Sequence, residues 1–221
     1  MIQIIIISSL AAIFSIAVQV SSLLKDKVVL RRVYASLILM VPCLLSCGGI
    51  GPASYALVAS DHTLSTLTFS AFFSALVVVV NLWAGKQIEN TKVNPQIRKP
   101  TWTVSLFVLN GISWIVYLIA YEFLFRGYIF NSLLQLTSVG NAFIVSITLY
   151  ALAHLFKGEK EFILSVPFGF ILCYITLLTE NVWAAVIIHS ILAISNDIFA
   201  FRANPFFSMS FSGFKRFRYE K

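Results

Sequence analysis

A carboxylate and a guanidinium lie one helical turn apart in the hydrophobic second half of the chain. They are Glu122 and Arg126, in the run Tyr-Glu-Phe-Leu-Phe-Arg-Gly at residues 121–127. At positions i and i+4 of a helix they share one face and can form an ion pair. An ionisable residue inside a membrane costs about 2.5–3.5 kcal/mol on insertion scales, so it needs a partner and usually has a function. A purely structural pair that fixes helix packing is the alternative.

Two histidines and an asparagine extend this set. His154 and His189 each lie in an apolar stretch, and Asn196 follows His189 by seven residues, on the same helical face. In a hairpin of two helices that turns near Ser138, Glu122 and His154 would each lie sixteen residues from the turn, at the same depth. Because the helix of His189 enters the membrane from the opposite side, we expect these four side chains to line one buried cavity.

Such a cavity suits hydrolysis by an activated water molecule. A buried carboxylate can act as general base, and a histidine can hold or shuttle the proton. The second histidine and an amide N–H can stabilise the oxyanion of a tetrahedral intermediate. No serine lies in a Gly-x-Ser-x-Gly elbow. One Glu with two His could bind zinc, but the HExxH spacing is absent and no third ligand is evident, so we predict no metal and no other cofactor.

Three motifs built on these residues resemble the signature of the CPBP family. They lie at residues 121–127, 150–154 and 183–189. The family comprises the CAAX prenyl endopeptidases (Rce1-like) and the bacterial Abi or bacteriocin-processing proteins. The resemblance implies an α-helical membrane bundle in which a Glu and a His, here Glu122 and His154, activate water for peptide cleavage.

The resemblance also assigns supporting roles. His189, with an asparagine near it, would stabilise the oxyanion. We also expect Arg126, Tyr121 and Tyr150 to support the site. The chain departs from the family pattern at three positions. Tyr121 stands where the first motif has another Glu, which is commonly assigned as the water activator. Tyr150 replaces a Phe, and Ala193 replaces the Asn that follows the last His, so Asn196 would have to substitute for it.

These observations favour an intramembrane endopeptidase of the glutamic, CPBP type that cuts a peptide bond near the membrane surface. One alternative is a catalytically inactive relative that binds peptides or partner proteins within the membrane. Another is a small transporter in which the embedded Glu and His relay protons.

The composition requires a membrane around these residues. Of the 221 residues, 59% are hydrophobic and 11% are charged, whereas a soluble domain has about 25% charged residues. The apolar runs are continuous and lack the alternation of barrel strands. We therefore predict an all-α, polytopic transmembrane bundle of seven spans, or eight if the long fourth region divides at Asn110-Gly111. The expected spans are residues 2–24, 33–47, 64–84, 101–136, 142–157, 162–178 and 182–201.

The charge pattern predicts the orientation of the bundle. The net charge of +7 comes mostly from basic residues at 25–32, 86–99 and 202–221. By the positive-inside rule these segments are cytoplasmic, so the basicity indicates topology and not nucleic acid. The N-terminus is then outside and the C-terminus inside. Three cysteines in apolar stretches, at positions 43, 47 and 173, indicate small buried side chains and no disulfide framework.

We divide the chain into N-terminal helices with a cytoplasmic loop (1–100), a catalytic core (101–201) and a basic tail (202–221). Prenylated CAAX substrates imply a eukaryotic or archaeal setting. A short chain of this sort favours the bacterial cytoplasmic membrane and a membrane-associated peptide or protein as substrate.

Overall fold

The fold is a bundle of long helices. The computed structural model describes residues 2–21, 27–45, 62–84, 86–87, 91–92 and 94–210. Within these residues the chain forms seven helices: α1 Ile2–Val20, α2 Val28–Leu45, α3 Thr63–Ala84, α4 Val104–Leu136, α5 Val139–His154, α6 Glu159–Thr179 and α7 Trp183–Ala203. Two short strands, β1 Thr101–Thr103 and β2 Ser208–Ser210, pair in parallel. The predicted all-α bundle is confirmed.

Four of the described helices, α3, α4, α6 and α7, are long and apolar enough to cross a membrane. Large hydrophobic side chains such as Leu64, Phe72 and Ile144 are exposed on the outside of the bundle. In water such a surface would aggregate, whereas in a bilayer the lipid tails cover it. The protein is an integral membrane protein.

Helix α4 is not divided at Asn110-Gly111, and that part of the prediction is wrong. The hydroxyl of Thr103 accepts a hydrogen bond from the backbone N–H of Leu106 and starts an α-helix that continues to Glu122. Asn110 stays in the helix because its side chain has partners on other helices. The irregular part of α4 is instead the π-helical segment Phe123–Phe130, which begins directly after Glu122. Such segments occur frequently at functional sites.

The hairpin that the sequence predicts near Ser138 is present. Thr137 is extended, and the hydroxyl of Ser138 accepts a hydrogen bond from the backbone N–H of Asn141 to start α5. Helix α5 ends at His154 and is followed by a 3₁₀ turn, Leu155–Lys157, so the predicted end near residue 157 is confirmed.

The helices pack so that α4 and α7 lie against each other at the centre of the bundle. Helix α2 covers α4, α3 covers α7, and α5 packs on α6. Asn81 of α3 donates to the backbone oxygen of Leu192 at 2.7 Å and to the hydroxyl of Ser195 at 2.8 Å. Interhelical hydrogen bonds of this kind stabilise helix contacts in a membrane.

Several sequence predictions concern residues outside the described ranges. They include the predictions for Cys47 and for the basic tail from residue 211. Cys43 and Cys173 are buried, as predicted.

Candidate active site

Glu122 is bound on both of its carboxylate oxygens. Oε1 lies 2.5 Å from Nδ1 of His189, and Oε2 lies 2.9 Å from a terminal nitrogen of Arg126. Glu122 and Arg126 have no exposed side-chain surface. A carboxylate oxygen can only accept, so Nδ1 of His189 carries the proton and Nε2 of the neutral ring has the lone pair. Glu122 therefore fixes both the orientation and the tautomer of His189.

His154 is oriented by its own helix. Its Nδ1 lies 2.9 Å from the backbone oxygen of Tyr150, one turn earlier, and 3.4 Å from the hydroxyl of Tyr121. Because the carbonyl can only accept, Nδ1 donates to it and Nε2 of the neutral ring again has the lone pair. Both histidines are thus held in the tautomer in which Nε2 can take up a proton.

Tyr121 packs against both histidines. Its ring centre is 6.0 Å from that of His154 and 5.8 Å from that of His189, and both imidazoles are nearly perpendicular to it. Tyr150 packs on the same group, 4.6 Å from the ring of His154. The residue that replaces the first Glu of the motif therefore occupies the middle of the candidate site, with its hydroxyl toward His154.

Solvent accessibility separates the histidines from the carboxylate. His154 and His189 keep 5% and 7% of their surface exposed, and Tyr121 keeps 5%, whereas Glu122 and Arg126 keep none. All five side chains are buried, and the little surface that remains belongs to the histidines and Tyr121.

Arg126 and Tyr150 support the buried carboxylate. The guanidinium carbon of Arg126 lies 4.1 Å from the centre of the Tyr150 ring, and a terminal nitrogen lies 3.4 Å from the backbone oxygen of Gly169 on α6. A cation over an aromatic face is stabilised, more so when it is desolvated. Helix α6 can approach this closely because position 169 has no side chain: a Cβ there would lie 2.9 Å from Cδ1 of Tyr150.

We expect Gly169→Ala to destabilise the protein by about 1–3 kcal/mol, the usual range for overpacking. The new methyl group would push Tyr150 away from Arg126. Gly111→Ala is the matched control, because a Cβ at that helical position meets nothing within 4 Å. The midpoint of unfolding in a sodium dodecyl sulfate titration measures both variants. Equal midpoints for the two would show that the close approach of α6 is not needed.

The structure places the remaining predicted site residue farther along α7. Asn196 is half-buried. It lies about 10 Å from His189 along the helix axis, because the two residues are seven positions apart and each position adds about 1.5 Å. Its role at an oxyanion stays a prediction. Within the described part of the chain, no group of three His, Cys, Asp or Glu side chains is arranged to hold a metal ion.

A second buried polar cluster was missed by the sequence analysis. Asp197 of α7 accepts hydrogen bonds on Oδ2 from the Asn110 amide at 3.0 Å and from Trp114 Nε1 at 2.7 Å. Arg32 of α2 lies 3.9 Å from the same oxygen and donates to Asn110 Oδ1 at 2.9 Å and Ser113 Oγ at 2.8 Å. Arg32 is only 1% exposed, so this member of the first basic segment is not the surface charge that its position suggested.

Comparisons with known proteins agree with the motifs. Residues 100–195 match the family described as type II CAAX prenyl endopeptidase Rce1-like. None of the curated proteins and none of the solved structures matches the chain. The matched segment contains Glu122, His154 and His189, and Asn196 follows it by one residue. The predicted resemblance is therefore confirmed over residues 100–195, the part of the chain that builds the candidate site and is similar to the Rce1-like family.

Proposed function

We propose that the protein is an intramembrane peptidase in which His189, oriented by Glu122, activates water. The observation that carries the proposal is the contrast between a fully buried Glu122, bound on both oxygens, and two histidines that retain accessible surface. The family resemblance assigns the base to a glutamate. The contacts of this chain favour a carboxylate–histidine pair, in which the carboxylate holds the imidazole and stabilises its protonated form.

The proposed reaction uses the three accessible side chains. Nε2 of His189 takes a proton from water while the water oxygen bonds to the peptide carbonyl carbon. The Tyr121 hydroxyl donates a hydrogen bond to the resulting oxyanion. The C–N bond then breaks as the leaving nitrogen takes the proton back from the imidazolium. His154, close to the Tyr121 hydroxyl, is a second proton carrier in the same cavity.

An inactive, peptide-binding relative is the second candidate. It is favoured by Tyr121 in place of a carboxylate and by the complete engagement of Glu122. In that case the buried Glu122–Arg126–His189 cluster fixes the bundle, and the cavity binds a membrane segment without cutting it.

The proposed test uses purified protein in liposomes with two probes, a farnesylated CAAX peptide and an unmodified single-span peptide, and mass spectrometry of the products. We expect one internal cut in at least one probe, absent with the double variant His154→Ala/His189→Ala. If the parent cuts neither probe but binds one of them, the inactive-relative proposal replaces this one.

The proposed topology has the N-terminus outside and residues 85–100 in the cytoplasm. The contacts support it, because His62 and Glu180, 3.7 Å apart, mark one face of the bundle. The amide of Asn204 donates to the backbone oxygen of Thr91 at 3.0 Å on the other face. Thr91 belongs to the basic segment 86–99 and Asn204 to the basic segment from 202 onward, so their hydrogen bond brings these two segments together at that second face.

Cysteine labelling in intact cells checks this orientation. We expect Glu180→Cys, at an exposed position, to react with a membrane-impermeant maleimide, and Lys92→Cys to react only after lysis. The parent protein measures background labelling of the native cysteines. Labelling of position 92 in intact cells would contradict the orientation.

A further inference from the structure

The second polar cluster joins the same two helices that form the candidate site. Asp197 is on α7, eight residues after His189, and its two donors, Asn110 and Trp114, are on α4, twelve and eight residues before Glu122. At about 1.5 Å per residue, Asp197 lies about 12 Å from His189 along α7. Trp114 and Asn110 lie about 12 Å and about 18 Å from Glu122 along α4. Two antiparallel helices are therefore joined at two points with matching spacing.

The contact between Glu122 and His189 is sensitive to the relative position of these helices. Nδ1 of His189 donates to Oε1 of Glu122, and a hydrogen bond weakens when its two atoms move apart or lose alignment. A slide or rotation of α7 on α4 would therefore lengthen it. The two hydrogen bonds to Asp197 oppose such movement, because Asn110 and Trp114 hold one carboxylate oxygen from successive turns of α4.

The N-terminal part of the chain supplies the counter-charge of this carboxylate. Arg32 lies over the Trp114 ring, with its guanidinium carbon 3.7 Å from the ring centre, and lies 3.9 Å from Asp197 Oδ2. A buried carboxylate without a cation is destabilising. Arg32 offsets this cost for Asp197, whose hydrogen bonds join α7 to α4. Arg32 and Asp197 both lie outside the segment that matches the family, residues 100–195.

We propose that Asp197 is a positioning residue that holds α7 in register with α4, and so holds His189 on Glu122, with Arg32 as its counter-ion. The inference rests on the proposed function, in which the Glu122–His189 pair activates water. It also predicts a property of His189 that can be measured without any substrate.

The test is nuclear magnetic resonance of the protein labelled with ¹⁵N-histidine in detergent micelles. The chain has three histidines, so the imidazole signals are few, and exposed His62 is an internal reference. We expect the buried hydrogen bond to the Glu122 carboxylate to give His189 a downfield Nδ1–H proton signal that exchanges slowly with solvent. His189→Ala assigns this signal by its disappearance.

We expect Asp197→Ala to lose the His189 signal while the His62 signal stays unchanged. Trp114→Phe, which removes one donor but keeps a large ring, is the milder variant. It is expected to speed solvent exchange of the His189 proton even if Asp197→Ala fails to fold. The matched control is Asn81→Ala, which removes two hydrogen bonds between α3 and α7, close to Asp197. It should lower stability and keep the His189 signal.

An unchanged His189 signal in Asp197→Ala would overturn the proposal, as would unchanged exchange in Trp114→Phe. So would loss of the signal in Asn81→Ala, because general loosening of α7 would then explain the effect. The outcome is separate from that of the proposed function. A parent protein that shows the signal but cuts no peptide would contradict the peptidase and leave the positioning role of Asp197 supported.

Discussion

His189→Ala is expected to lower peptide cleavage by a factor of about 10² or more, the usual effect of removing a general base. The reason is that Nδ1 of His189 is bound to Glu122, so Nε2 is the ring nitrogen that would accept the proton from water. The initial rate of product formation in liposomes measures the effect.

His62→Ala is the matched control for this prediction. His62 is exposed, pairs with Glu180 at the surface, and lies away from the candidate site. Its removal should leave the rate unchanged. If His189→Ala cleaves at the parent's rate but unfolds more easily, His189 is a packing residue and the proposed mechanism is wrong.

Arg126→Met is expected to destabilise the protein by about 3–5 kcal/mol, because it leaves the Glu122 carboxylate buried with one partner fewer. The guanidinium is fully buried, 2.9 Å from Oε2, so no water can replace it without rearrangement. Sodium dodecyl sulfate titration of the purified protein measures the loss.

A double variant distinguishes the effect of the unpaired Glu122 charge on stability from the effect of lost side-chain packing. Glu122→Gln/Arg126→Met removes both charges at similar volume and should recover most of the stability that Arg126→Met loses. Lys160→Met, at an exposed position at the start of α6, controls for the loss of a basic side chain and should change little. If the double variant is as unstable as the single one, packing of the Arg126 stem is the main effect.

The sequence predicted the family, the helical bundle and the meeting of Glu122 with a histidine. These features follow from local information: long apolar runs, i and i+4 spacing, and the equal distances of Glu122 and His154 from the turn at Ser138. The hairpin is present, and the direct partner of Glu122 is His189. Which histidine pairs with the carboxylate depends on the rotation of α7 about its axis, and spacing alone does not determine that rotation.

The errors have a common physical cause. Asn110 was interpreted as a helix break and Arg32 as a surface charge, because each polar residue was judged by its neighbours in sequence. Their partners are distant: Asn110 is 87 residues from Asp197, and Arg32 is 78 residues from Asn110. A polar residue on an apolar helix indicates that it has a distant partner. It does not indicate where in the sequence that partner lies.

Tyr121 stands in place of a carboxylate of the family motif and packs against both histidines. The most direct measurement compares cleavage of the same probe peptide by the parent and by Tyr121→Glu in liposomes. We expect the parent to cleave the peptide already, through His189 and Glu122, because the proposed mechanism needs no second carboxylate. Cleavage by Tyr121→Glu with none by the parent would contradict the proposed mechanism and show that the natural chain is an inactive relative of the Rce1-like family.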